Sequence, residues 1–123
     1  MRVLIVDDSA VMRRILGNAM SQIGATVITQ AADGREAVEA ANRADFDLVL
    51  MDWNMPNLSG FDALKEIRAN GKKMPIIMVT TEAEKARVID AVRAGANNYI
   101  IKPFTLPGVT AKIKDTLERA RAA

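Results

Sequence analysis

The chain has 123 residues, of which 50% are hydrophobic, and it contains neither cysteine nor histidine. This length and composition favour a single folded domain with a buried core and argue against disorder. Without cysteine or histidine, the chain has no disulfide bond, no cysteine nucleophile and no typical zinc ligand. Any chemistry must therefore use carboxylates, lysine, hydroxyls, the backbone or an oxygen-bound cation.

The charge is unevenly distributed, although the formal net charge is only +2. Residues 1–61 carry 5 basic and 8 acidic side chains, whereas residues 62–123 carry 12 basic and 7 acidic ones. The first half therefore suits a cation and the second an acidic partner, but the basic residues are too scattered to indicate nucleic acid binding. The first apolar run, residues 3–6, is too short for a signal peptide or a membrane span, so we expect a cytoplasmic protein.

Short apolar runs without strict alternation recur five times along the chain, as expected for strands that are buried on both faces. They cover residues 3–6, 26–29, 48–51, 76–79 and 99–101. A helical pattern follows each run. Five successive strand–helix units predict an α/β fold, in which a parallel sheet with right-handed crossovers carries helices on both faces.

Each helical pattern has an apolar stripe and a recognisable start or end. In chain order the patterns run from Ser9 to Gly24, from Asp33, from Gly60 to Gly71, from Glu82 to Ala94 and from Pro107. Serine and aspartate are favoured N-caps, glycine ends helices, and proline suits the first helical position. The spacing predicts that the following residues face the core: Val11, Met12, Ile15, Leu16, Ala19 and Ile23, then Ala37, Val38 and Ala41, then Phe61, Leu64 and Ile67, then Ala86, Ile89 and Val92, and last Val109, Ile113 and Leu117.

Polar residues stand at the carboxyl ends of four predicted strands. Asp7 and Asp8 follow the first strand, Asp52 the third, Thr80 the fourth and Lys102 the fifth. Parallel strands bring these ends to one edge, where binding sites form in such sheets. Three clustered carboxylates repel one another unless a cation is bound, and oxygen ligands favour Mg²⁺. With a lysine and a hydroxyl beside them, they predict a phosphoryl-transfer site, with Asp52 as the carboxylate nucleophile.

Five motifs give this pattern its specificity. They are Val-Leu-Ile-Val-Asp-Asp-Ser at 3–9, Leu-Val-Leu-Met-Asp-Trp-Asn-Met-Pro at 48–56 with Gly60, Met-Val-Thr at 78–80, Ala-Gly-Ala at 94–96 and Lys-Pro-Phe at 102–104. From residue 2 to about 117 the chain resembles the receiver domain of bacterial two-component response regulators, most closely the stand-alone chemotaxis regulators. The resemblance implies one receiver domain over residues 1–123 without an output domain. It also implies a flavodoxin-like, doubly wound five-stranded parallel sheet of order 2-1-3-4-5 with five helices.

The resemblance also assigns roles at the strand ends. It implies that Asp52 is the phospho-acceptor and that Asp7, Asp8, Asp52 and the backbone carbonyl of Asn54 hold Mg²⁺. Thr80 and Lys102 would bind the phosphoryl group, and the Lys102–Pro103 peptide bond would be cis. Asn54 and Glu82 would tune the rate of self-dephosphorylation. The resemblance thus implies that the protein is not an enzyme and that it catalyses only its own phosphorylation and dephosphorylation.

The same resemblance implies a conformational switch. Phosphorylation adds nearly two negative charges; Thr80 would move toward them, and Tyr99 would turn inward into the vacated space. The partner-binding face would include Val88, Val92, Tyr99, Ile101, Phe104 and Lys112. Implied partners of this monomer are a histidine kinase, the flagellar motor switch protein and a phosphatase, with no nucleic acid and no membrane.

Three other functions stay open at this point. A stand-alone receiver could instead serve as a phosphorelay intermediate or a phosphate sink. A Mg²⁺-dependent aspartyl-phosphate phosphohydrolase is disfavoured, because Asn54 stands where such enzymes usually place a second carboxylate. A flavin-binding domain is disfavoured because Asp7 and Asp8 follow the first strand where a phosphate-binding loop would be needed. Two pairs in the fifth helix, Lys114–Asp115 and Pro107–Gly108, depart from the pattern expected of chemotaxis regulators, which leaves the partner open.

Overall fold

The computed structural model describes residues 1–122. Its elements in chain order are β1 (Arg2–Val6), α1 (Ala10–Gln22), β2 (Val27–Ala31), α2 (Gly34–Arg43), β3 (Leu48–Met51), α3 (Gly60–Ala69), β4 (Ile76–Thr80), α4 (Lys85–Ala94), β5 (Asn98–Ile101) and α5 (Leu106–Ala122). The strands form one parallel sheet in the order β2-β1-β3-β4-β5. The predicted fold class and strand order are confirmed.

The central strands are buried on both faces, which explains their unbroken apolar sequences. Side chains alternate across the sheet: Val49 and Met51 of β3 join the core cluster beneath α2, α3 and α4. Leu48 and Leu50 join the cluster on the opposite side, beneath α1 and α5. Helices therefore cover both faces of the sheet and leave its carboxyl edge open.

The predicted N-caps of the first two helices are confirmed. The Ser9 hydroxyl accepts a hydrogen bond from the Met12 N–H at 3.2 Å, and the Asp33 carboxylate accepts one from the Glu36 N–H at 2.8 Å. These bonds satisfy backbone donors that the helix itself leaves free. The Asp33 carboxylate also accepts a bond from the Asn57 side chain at 2.6 Å, which ties the loop after β2 to the loop after β3.

Several predicted boundaries differ from the structure, most of them by one or two residues. β2 spans Val27–Ala31 and not 26–29, and α5 begins at Leu106, one residue before Pro107. The larger difference is α4, which begins at Lys85 and not at Glu82. The Glu82 N–H donates to the Thr80 hydroxyl at 3.3 Å, and the Glu82 carbonyl accepts from the Tyr99 hydroxyl at 2.7 Å. Because these bonds hold Glu82 in a loop over the carboxyl edge, the helix starts later.

Two predicted helix faces are partly wrong. Val11 and Ile15 of α1 are 61% and 40% exposed, since Leu16, Ala19 and Met20 provide the contact with the core. In α4 the predicted stripe of Ala86, Ile89 and Val92 is exposed, while Ala91 is buried and Val88 is half-buried. Apolar residues lie on more than one side of α4, so its periodicity permits two stripes, and packing against the sheet selects one of them. The stripes of α2, α3 and α5 are confirmed, with Phe61 half-buried.

Candidate phosphoryl-transfer and metal site

Backbone hydrogen bonds position the site residues just beyond the strands. The Asp52 N–H donates to the Val6 carbonyl at 2.9 Å, and the Asp7 N–H donates to the Ala31 carbonyl at 3.1 Å. The Lys102 N–H likewise donates to the Thr80 carbonyl at 2.9 Å. Each bond continues the parallel ladder by one residue, so the sheet itself fixes where these side chains begin.

Asp7, Asp8 and Asp52 form a compact carboxylate cluster. One oxygen from each side chain lies within 4.8 Å of the other two. Asp7 is only 1% exposed and Asp52 is buried, whereas Asp8 faces solvent. Hard oxygen donors at this spacing, with one side open to water, match the preference of Mg²⁺ for a few carboxylates and retained water molecules. The residues present therefore fit a magnesium ion.

Among the ion pairs of the described residues, Lys102 is the only cation that pairs with a carboxylate of this cluster. Its Nζ atom lies 2.7 Å from Asp7 Oδ2 and 3.4 Å from Asp52 Oδ2. The Lys102–Pro103 peptide bond is cis, as the sequence resemblance implied. One lysine offsets only part of the charge of three carboxylates, which leaves the cluster attractive to a divalent cation.

Asp52 differs electrostatically from an ordinary surface aspartate. Burial raises the pKa of its carboxyl group above the usual value, the charge of Lys102 acts in the opposite direction, and the nearby Asp7 raises the pKa further. A bound divalent cation would lower this pKa again and keep Asp52 ionised. Metal binding and the ionised form of Asp52 are therefore expected to favour each other.

The loop after β3 fixes the orientation of the Asp52 side chain. The Trp53 N–H donates to Asp52 Oδ1 at 2.7 Å, and the Gly60 N–H donates to the Trp53 carbonyl at 2.7 Å. A Cβ atom at Gly60 would lie 1.7 Å from the Asp52 carbonyl oxygen, so only glycine allows α3 to begin so close to Asp52.

Asn54 and Glu82 meet at the mouth of the site. The Asn54 side-chain amide donates to Glu82 Oε1 at 2.9 Å. The Glu82 N–H in turn contacts the hydroxyl of Thr80, which is fully buried at the end of β4. The structure therefore brings together every residue that the sequence assigned to phosphoryl chemistry: Asp7, Asp8, Asp52, Asn54, Thr80, Glu82 and Lys102.

Comparison with known proteins identifies the family of this chain. Residues 3–114 match the response regulator receiver domain. The chain belongs to this family.

Two curated relatives and one solved structure illustrate the similarity. The chemotaxis protein CheY-3 of Vibrio cholerae is 43% identical over 121 residues, covering 97% of this chain and 93% of that protein. CheY1 of Helicobacter pylori is 49% identical over 108 residues, covering 85% and 87%. A CheX–CheY–BeF3–Mg complex from Borrelia burgdorferi matches with a TM-score of 0.87 and 30% identity, covering 98% of this chain and 88% of the matched chain. The chain is thus a response regulator receiver domain of the CheY type, a class of signalling switch.

Tyr99 of this receiver domain already points inward. It is 7% exposed, and its hydroxyl donates to the Glu82 carbonyl at 2.7 Å. Lys112 of α5 donates to the Tyr99 carbonyl at 3.0 Å. The inward position that the sequence resemblance attached to phosphorylation is therefore compatible with the fold as described, and it links Tyr99 directly to the loop over the site.

The residues predicted to form the partner face are only partly brought together. Val92 and Ile101 are 54% and 44% exposed, while Val88 is half-buried in the same core cluster as Tyr99. Phe104 packs in the other cluster and lines an apolar groove beside α1. The structure therefore separates Phe104 from Val88 and Tyr99, because the chain crosses to the α1 side of the sheet after β5.

The raised pKa of Tyr99 predicts that the protein loses stability at alkaline pH. Burial, followed by the nearby charge of Glu82, raises its pKa from 10.0 to about 12. The unfolded chain ionises first, so the stabilisation from protonated Tyr99 is complete below pH 10 and disappears as the pH rises toward 12. The gap in unfolding free energy between wild type and Tyr99→Phe should shrink by roughly 1 kcal/mol between pH 9 and pH 11, measured by urea denaturation. A gap that is equal at both pH values would contradict this assignment.

Sequence reasoning missed two arginines near the site. Arg13 is not among the residues that the sequence predicted to be functional, yet its Nη1 donates to the Asp7 carbonyl at 2.7 Å and its Nε donates to Gln30 at 2.9 Å. Arg87 of α4 lies over the Trp53 ring, with its Cζ atom 5.5 Å from the ring centroid. Both contacts join distant parts of the chain, and neither leaves a local signal in the sequence.

Among the residues that the structure describes, no helix has the length and hydropathy to span a membrane.

Proposed function

We propose that this receiver domain is a phosphorylation-dependent switch, in which Asp52 accepts a phosphoryl group from a histidine kinase. The observation that carries the proposal is the carboxylate cluster of Asp7, Asp8 and Asp52, with Lys102 Nζ in contact with two of its members. One Asp52 oxygen would attack the phosphorus atom, the phosphorus–nitrogen bond of the donor histidine would break, and an acyl phosphate would form. Asp7, Asp8, Asp52 and the Asn54 carbonyl would hold Mg²⁺, which would supply charge neutralisation.

The chain's own residues would act on this transfer in distinct ways. The Trp53 N–H holds Asp52 Oδ1 at 2.7 Å and so limits rotation of the attacking carboxylate. Lys102 would move from its 2.7 Å contact with Asp7 toward the incoming phosphoryl oxygens. The Thr80 hydroxyl would donate to one of those oxygens. Asn54 and Glu82, joined at 2.9 Å, would control the approach of the water that later hydrolyses the acyl phosphate.

The proposed output is control of the flagellar motor in chemotaxis. Curated relatives over most of the chain are named as chemotaxis proteins, which supports this pathway. The face around Tyr99, Val92, Ile101 and Lys112 would bind the motor switch protein, because the Tyr99 hydroxyl contacts the loop over the phospho-site. The matched complex of CheY with CheX, BeF3 and Mg supports a phosphoryl-like ligand, magnesium and an additional protein partner.

Fluorescence of Trp53 provides the test of the metal site. Trp53 is the only tryptophan and directly follows Asp52, so Mg²⁺ should change its emission, and a beryllofluoride mimic should change it further. Asp8→Asn should weaken Mg²⁺ binding by at least about tenfold, because it removes a direct carboxylate ligand.

The matched control is Asp90→Asn, which removes the same charge from the exposed surface of α4. We expect its Mg²⁺ affinity to equal that of the wild type. Equal affinities for wild type and Asp8→Asn, or no response of the wild type to Mg²⁺ and beryllofluoride, would refute the proposed site.

A further inference from the structure

Two aromatic rings beside the acceptor residue are stacked between two cations. The rings of Trp53 and Phe61 lie 4.8 Å apart with an angle of 3° between their planes. Lys65 Nζ lies 4.4 Å from the Phe61 centroid, and Arg87 Cζ lies 5.5 Å from the Trp53 centroid. Since Phe61 and Lys65 belong to α3 and Arg87 to α4, this stack connects both helices to the loop after β3.

Trp53 links Arg87 to Asp52 over a short path. Its backbone N–H donates to Asp52 Oδ1, while its side chain is 6% exposed and lies beneath the Arg87 guanidinium. Arg87 is also close enough to the Tyr99 hydroxyl for its charge to lower the pKa of that group against the effect of burial. Arg87 therefore contacts the residue after the proposed acceptor, and its charge also acts on the residue of the proposed switch.

The two ends of α4 are held by contacts of different strength. At the C-terminal end, Arg68 of α3 donates to the Gly95 carbonyl at 3.1 and 2.9 Å and to Asn97 Oδ1 at 3.0 Å. At the N-terminal end, Glu84 makes no side-chain capping bond. Near this end, Arg87 contacts the Trp53 ring of the loop after β3. One cation–π contact is weaker than several hydrogen bonds from a guanidinium, so the N-terminal end is the one that can be released.

We propose that Arg87 is a positioning residue that holds the first turns of α4 on Trp53 and thereby couples α4 to the state of Asp52. The contact belongs to the arrangement in which Tyr99 points inward and Trp53 fixes the Asp52 carboxylate. Loss of the guanidinium frees the N-terminal end of α4 and weakens the arrangement that binds a phosphoryl group. This inference rests on the proposed function of Asp52 as phospho-acceptor.

The test is a double-mutant cycle on beryllofluoride binding in the presence of Mg²⁺, measured by titration calorimetry. Arg87→Gln should weaken binding about two- to fivefold, which is the size expected for one cation–π contact. In a Trp53→Leu background the same substitution should have no effect, because the ring is absent. Arg87→Lys should retain part of the affinity, since it keeps a cation.

Arg93→Gln is the matched control, because it removes the same charge from an exposed position on the same helix. We expect it to bind beryllofluoride like the wild type and to leave Trp53 emission unchanged, whereas Arg87→Gln changes that emission. If Trp53→Leu does not fold, the affinities of the three other proteins decide the question. The proposal then requires that affinity for beryllofluoride decreases from the wild type to Arg87→Lys and again to Arg87→Gln.

The outcomes separate this inference from the function on which it rests. A wild type that fails to bind beryllofluoride with Mg²⁺ contradicts the proposed function and this inference with it. A wild type that binds, with equal affinity in Arg87→Gln, overturns the role of Arg87 alone. An Arg87→Gln effect that persists undiminished in the Trp53→Leu background does the same, since the residue would then act through some other contact.

Discussion

Asp52→Asn is expected to abolish stable phosphorylation of this receiver domain by acetyl phosphate or by a histidine kinase. The amide cannot form the acyl phosphate, and its neutral oxygen is a poor nucleophile. The surrounding geometry should persist, because asparagine has nearly the same shape and its oxygen can still accept the 2.7 Å bond from the Trp53 N–H. Intact-mass spectrometry after incubation with acetyl phosphate and Mg²⁺ measures the modified fraction, which we expect to fall below detection.

The same variant should be at least as stable as the wild type. Burial raises the pKa of Asp52, so its ionised form opposes folding near neutral pH, and removal of that charge relieves the opposition. Asp115→Asn serves as the control, since it changes an exposed aspartate of α5 that pairs with Arg119. It should be phosphorylated like the wild type. Modification of Asp52→Asn to the wild-type extent would place the acceptor at another residue.

Gly60→Ala is expected to cause a large loss of stability. Its Cβ atom would lie 1.7 Å from the Asp52 carbonyl oxygen and 2.8 Å from the Asp52 carbonyl carbon. Asp52 cannot retreat easily, because its N–H is bonded to Val6 within the continuation of the sheet. We expect a loss of at least about 3 kcal/mol in the free energy of unfolding, measured by urea denaturation.

Gly17→Ala is the matched control for this substitution. Gly17 lies within α1, and the nearest atom to an added Cβ would be Ile5 Cδ1 at 3.9 Å, an ordinary contact distance. Alanine has the higher helix propensity, so this change should be neutral or should stabilise the protein by up to about 1 kcal/mol. Similar losses in both variants would show that the close approach of α3 to Asp52 is not what requires glycine at position 60.

Local patterns in the sequence predicted most of the fold and the composition of the candidate site. The apolar run 48–51 lacks alternation because β3 is buried on both faces, so its type could be inferred without knowledge of its neighbours. Asp7, Asp52 and Lys102 were grouped correctly because parallel strands bring their carboxyl ends to one edge. Ser9 and Asp33 were recognised as caps because the bonds that they accept come from residues three positions later.

The sequence did not determine which face of α4 is buried or where that helix begins. Ala86, Ile89 and Val92 form as regular a stripe as Val88 and Ala91, and only packing against the sheet selects the second pair. The start at Lys85 depends on hydrogen bonds from Glu82 to Thr80 and from Tyr99 to Glu82, which join separate strand ends.

The sequence by itself determined this protein's class, its sheet and the residues that meet at the carboxyl edge, because strand burial, helix capping and strand-end position are properties of short segments. The tertiary structure alone decided the inward position of Tyr99, the separation of Phe104 from the α4 side and the placement of Arg87 over Trp53. Each of these depends on contacts between residues far apart in the chain, whose distances follow from how the helices pack on the sheet and not from any local periodicity.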